Sequence, residues 1–141
     1  MRIALLIAAL VAAPAAAETA TLTSQTGQWY QVFANDVESA IGRSVRVDSA
    51  SVAVVGAGRQ FRQAEVLLRD EGAYARGTTF YAQRSVNCQS GVTQVQQWSA
   101  VGPAGKAVAS GALGTSPPRK VHWDSRDGKV LKFVCQGILP R

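Results

Sequence analysis

The sequence predicts an α+β domain: an antiparallel sheet of about five to six strands with one C-terminal amphipathic helix packed on it, closed by one disulfide. Two patterns carry this prediction. Short runs rich in β-branched and aromatic residues, separated by glycine- and proline-bearing turns, occupy residues 29–112. The tail then changes period, placing apolar residues at helical rather than alternating spacing.

Taken in order, the chain opens with Arg2 and an apolar run from Ile3 to Ala13. That run is too short to cross a bilayer as a helix, which needs ~20 residues. Small residues follow in "APAAAE", so residues 1–17 read as a secretory signal peptide cut after Ala17. No cysteine follows the apolar run, so no lipid anchor is expected, and no other stretch is apolar enough to span a membrane. The expected mature chain of 124 residues is one domain, periplasmic or extracellular, preceded by a polar lead-in over residues 18–28.

"WYQVF" at 29–33 reads as a strand, and "ANDVESAIGRS" as either a short helical turn or a loop. "VRVDSASVAVVG" at 45–56 begins with clean alternation, and Gly56 and Gly58 end it in a turn. "FRQAEVLLRD" at 61–70 and "GTTFYAQRSVNCQ" at 77–89 read as two further strands. In the second, Phe80, Ala82, Val86 and Cys88 share one face at period two, and Arg84 falls among them. A charge there breaks the pattern and suggests a position near a sheet edge. "GVTQVQQWSAVG" and "KAVASGA" flank "PAG", a hairpin signature. In "DSRDGKVLKFVCQG", residues Val130, Leu131, Val134, Cys135 and Ile138 fall on one helical face, against Lys129, Lys132 and Gln136. A helix over 125–136 follows, capped by Asp124 or Ser125 and ended by Gly137, with Gly128 an unfavourable interior residue.

The two cysteines, Cys88 and Cys135, lie 47 positions apart. In an oxidising compartment an even, small number of cysteines is most simply one bridge. A zinc site would want four ligands, and the chain has one histidine and no CxxC spacing. No metal or other cofactor is expected. His122 and Asp124 would share a strand face, but no G-x-S-x-G elbow accompanies them. The expectation is therefore a protein that is not an enzyme, with no catalytic residue.

The formal charge is +6, and +5 once Arg2 is removed with the signal peptide. An excess of this sign favours an acidic protein segment or an acidic polysaccharide as partner. Nucleic acid is not expected of an exported chain without a binding motif. Arg59, Arg62, Arg119 and Lys120 are the candidate basic binding patch. An exposed tryptophan beside Arg119 and Lys120 would strengthen it.

The order of these pieces resembles a known family. A tryptophan near the mature start is followed by "VDSASV" and "FRQAEVLLR". The ordered set "SVNC", Trp98, "GPAGKAV" and "FVC" completes it. Over residues 29–136 the chain resembles the surface-adhesin protein E-like family of bacterial envelope proteins. The resemblance implies a small antiparallel sheet with a C-terminal helix tied by Cys88–Cys135, and a surface or periplasmic protein, monomeric or homodimeric. The best-known member binds host extracellular-matrix proteins and plasminogen. The functional expectation is an exported adhesion or binding module for host or envelope components. The alternative is a periplasmic accessory protein.

Overall fold

The computed structural model describes residues 27–112 and 117–137. The signal peptide expected at 1–17, most of the lead-in, and Ile138 lie outside the described residues. The elements run β1 (Trp29–Gln31), α1 (Asn35–Ile41), β2 (Arg43–Val55), β3 (Gly58–Leu67), β4 (Thr79–Asn87), β5 (Val92–Val101), β6 (Ala107–Ala112), β7 (Arg119–Lys120) and α2 (Arg126–Gln136).

The fold is α+β. β1 to β6 pair in chain order, each antiparallel to its neighbour. The two-residue β7 pairs with Val92 and Thr93 of β5, along the edge that β6 occupies further on. Such a meander follows from tight connections: Gly56, in the left-handed region at φ 57°, turns β2 into β3, and "PAG" turns β5 into β6. The ambiguous 34–44 segment contains a seven-residue helix, ended by Gly42 at φ 80°.

Alternation sorts the sheet into two faces. Val45 and Val47 of β2, Phe61 of β3 and Val86 of β4 face α2, which answers with Val130, Leu131 and Val134. Val32, Phe33 and Val121 complete this core. Burying such a side chain stabilises by roughly 1.5–3 kcal/mol, so α2 is held by packing more than by its own propensity. Ser125 caps it: Oγ accepts a hydrogen bond from the Gly128 amide at 3.0 Å. Gly128 is required where it stands, because a Cβ there would lie 2.0 Å from the His122 carbonyl oxygen.

The bridge joins Cys88, just past β4, to Cys135 in the last turn of α2, with Cα atoms 5.8 Å apart. It pins the C-terminal end of the helix over the sheet. Arg59 reinforces the same end, donating from Nη1 to the Val134 carbonyl at 2.9 Å, where an unpaired helix-terminal carbonyl favours a cation. Among the described residues no helix is long and apolar enough to cross a membrane.

Candidate functional site

α2 covers only part of the face it packs on. Beside its N-terminal turn, the inner faces of β3, β4 and β5 remain open, and the turn of chain from β7 to α2 forms the opposite wall. The result is a cleft of about 630 Å³, within the ~300–1,000 Å³ typical of small-molecule sites. Its apolar surface comes from Phe80 and Ala82 on β4, Val95 on β5, Phe33, Val121 and Val130.

Arg84 lies among these residues and corrects the sequence-based expectation. It is not near an edge. β4 sits between β3 and β5, and Arg84, in mid-strand, is only 4% exposed. A charge is tolerated there because it is paired and hydrogen-bonded. Nη1 donates to Asp127 Oδ1 at 2.7 Å and to Gln63 Oε1 at 2.8 Å. Nη2 donates to Asp127 Oδ2 at 3.0 Å and to Thr93 Oγ1 at 3.1 Å. The guanidinium lies 5.6 Å from the centre of the Phe61 ring, and its Nε has no hydrogen-bond partner. A register shift in β5 sets up this geometry. Gln83 pairs with Gln97 but Arg84 pairs with Val95, so Gln96 is an extra residue opposite them. The bulge keeps Thr93 and Val95 on the same face as Trp98 and Ala100.

Asp127, in the first turn of α2, is the second half of the site. Its Oδ2 also accepts from Arg119 Nη2 at 2.9 Å. Burial pushes the Asp127 carboxyl up. The Arg84 hydrogen bond and the charges of Arg84, Arg119 and Arg126 outweigh it and hold the group below the usual carboxylate range. The polar chain continues across the sheet. Gln63 Nε2 donates to Glu65 Oε1 at 3.2 Å, and Arg43 donates to Glu65 Oε2 at 2.6 Å and to Glu71 at 2.5 Å. The hydrogen bond from Arg43 lowers the Glu71 carboxyl below its ordinary value, against the opposing effect of desolvation. From Asp127 to Glu71 the charged groups alternate in sign, with neutral Gln63 between Arg84 and Glu65, so each charge has an opposite neighbour.

The cations named from sequence separate into three places. Arg119 and Lys120 are exposed on β7 and line the cleft. Arg126 joins them on its rim. Arg59 is tied to the end of α2. Arg62 lies on the other face of the sheet, since strand neighbours three apart point oppositely. There it donates to the Asp48 carboxylate, which is fully buried, and lies 5.7 Å from the Trp29 ring. The three tryptophans are all half-buried; Trp123, beside the β7 wall, packs against the core. His122 is exposed, and its carbonyl accepts from Ser125 Oγ at 2.5 Å. β7 ends at Lys120, so His122 and Asp124 do not share a strand, and Asp124 instead faces Lys132 at 3.3 Å.

Arg84 and Asp127 were not singled out as site residues by sequence reasoning. The broken alternation at Arg84 was the only signal. Comparison of the chain with known protein families, with characterised proteins and with solved structures finds no match.

Proposed function

We propose that this chain is an exported, non-enzymatic binding module that engages a host or envelope component through the cleft beside α2. The observation that carries this reading is the convergence of Arg119, Lys120 and Arg126 on the rim of a 630 Å³ cleft with an apolar wall. A concave apolar surface with a few convergent polar groups is the usual form of a ligand site. The resemblance to the adhesin E-like family supports an envelope role, and a single disulfide accords with an oxidising compartment.

The test uses the full chain and a panel of matrix proteins and glycosaminoglycans at low salt. An Ala82→Trp variant fills the cleft with a bulky ring, and near-UV circular dichroism reports whether the fold is retained. Binding to a panel member that Ala82→Trp abolishes is the expected result. Binding that Ala82→Trp leaves untouched, or no binding by the wild type, refutes the reading.

A further inference from the structure

We infer that the cleft takes an amphipathic phosphate, its apolar chain lying on Phe80, Ala82 and Val95 and its headgroup held by Lys120 and Arg126. This rests on the reading of the cleft as the ligand site and adds the class of ligand.

The charge balance inside the cleft selects the headgroup. Six charged side chains line it. Asp127 is already paired with Arg84 and Arg119, and Glu65 with Arg43. Lys120 and Arg126 make no ion pair among the described residues. Four of the six are cations and two are anions, a surplus of two positive charges, and the two cations outside any ion pair are both exposed on one rim. A phosphate monoester carries about −1.5 to −2 charges at neutral pH, which matches two cations better than a monoanionic carboxylate does. The guanidinium of Arg126 adds planar donors suited to phosphate oxygens.

The wall selects the rest of the molecule. Phe80, Ala82 and Val95 are half-buried, with Tyr74 and Arg43 packed on the Phe80 ring, and a polar anion alone would leave their remaining apolar surface facing water. An alkyl chain over them removes apolar area from solvent.

The experiment is isothermal titration with decyl phosphate, decanoate, decyltrimethylammonium and inorganic phosphate, each below its aggregation concentration. Saturable binding of decyl phosphate is expected, with decanoate about fivefold weaker. Inorganic phosphate alone and the cationic amphiphile are expected not to saturate. Lys120→Glu with Arg126→Glu should weaken decyl phosphate about tenfold. These two residues are exposed, and near-UV circular dichroism checks that the variant keeps its fold; Lys120→Ala with Arg126→Ala, which adds no acid beside Asp127, should weaken binding in the same direction. Equal binding of all headgroups, binding of phosphate alone as tightly as decyl phosphate, or no effect of the double reversal overturns the inference. Failure of decyl phosphate to bind, while Ala82→Trp still blocks a panel ligand, overturns the ligand class and leaves the cleft standing. Decyl phosphate binding that Ala82→Trp does not change overturns the cleft itself.

Discussion

Removing the Asp127 carboxylate should expose how much of the fold depends on one ion pair. Arg84 is 4% exposed, so Asp127→Ala leaves a buried guanidinium with only Gln63 and Thr93 as acceptors. Orphaning one partner of a buried pair costs about 3–5 kcal/mol. The Asp127 side chain is itself 27% exposed, so water can reach its end of the pair, and the lower bound, about 3 kcal/mol, is expected. Arg84→Met removes the other partner. Asp127 then keeps Arg119, and Gln63 and Thr93 keep their bonds to Glu65 and to the Ser85 carbonyl. That variant should lose about 1–2 kcal/mol. The double variant has no orphaned charge and should lose roughly 2 kcal/mol rather than the sum, a coupling of about 2–3 kcal/mol. Urea unfolding of the oxidised protein measures all four corners. At an m-value of ~1–3 kcal/mol/M, the Asp127→Ala midpoint falls by about 1–3 M. The favourable placement of an acid in the first helical turn, ~0.3–1 kcal/mol, is lost in both backgrounds and cancels from the cycle. Additivity within about 0.5 kcal/mol would refute the reasoning.

Three further expectations follow from the same contacts. Because the Asp127 carboxyl is held below its ordinary value in the folded state, the stability it contributes is present above the unfolded value near ~3.9 and lost as pH falls through the lower folded one. Acid titration monitored by tryptophan fluorescence should therefore show a shallower acid limb for Asp127→Ala than for wild type; an identical limb would contradict this. Cleaving Cys88–Cys135 opens a loop of sequence separation 47 and should cost about 4 kcal/mol on the chain-entropy estimate. Unfolding with and without reductant measures it, and two free thiols in the oxidised protein by mass spectrometry would sink the premise. Gly128→Ala should destabilise despite alanine's ~1 kcal/mol helix advantage, since its Cβ would meet the His122 carbonyl. A melting temperature lower by roughly 10 °C is expected, and an unchanged or raised one would refute the close approach.

The framework was legible because it depends on local periods. The alternation of Val45 with Val47, the shared face of Phe80, Ala82 and Val86, and the helical spacing of Val130, Leu131 and Val134 each follow from a few adjacent residues, and all now lie in or beside one core. The Ser125 cap and the Gly137 stop were legible for the same reason. So was the opposition of Arg59 and Arg62: three positions apart on a strand they cannot share a face, a signal present in the sequence that grouping them by charge passed over. The bulge at Gln96 was not legible, since nothing local distinguishes Gln96 from Gln94 or Gln97 as the residue to be extruded.

The cleft was hidden for a different reason. Asp127 reads in sequence as an ordinary acid in a first helical turn, and Arg84 as an intruder on an apolar strand face. Each has a sufficient local explanation, and neither suggests the other across 43 positions. Their meeting depends on where α2 lies on the sheet, which the core valines and the Cys88–Cys135 bridge decide together. With the helix anchored at its C-terminal end by the bridge and Arg59, its N-terminal turn comes within reach of the Arg84 side chain, and Asp127 becomes the counter-ion that makes a charge at Arg84 tolerable. The same placement leaves Phe80, Ala82 and Val95 half-buried along the cleft beside it. The buried ion pair and the open apolar wall are thus two consequences of one helix position, so a change that shifts α2, such as Gly128→Ala, should weaken the pair and reshape the cleft together.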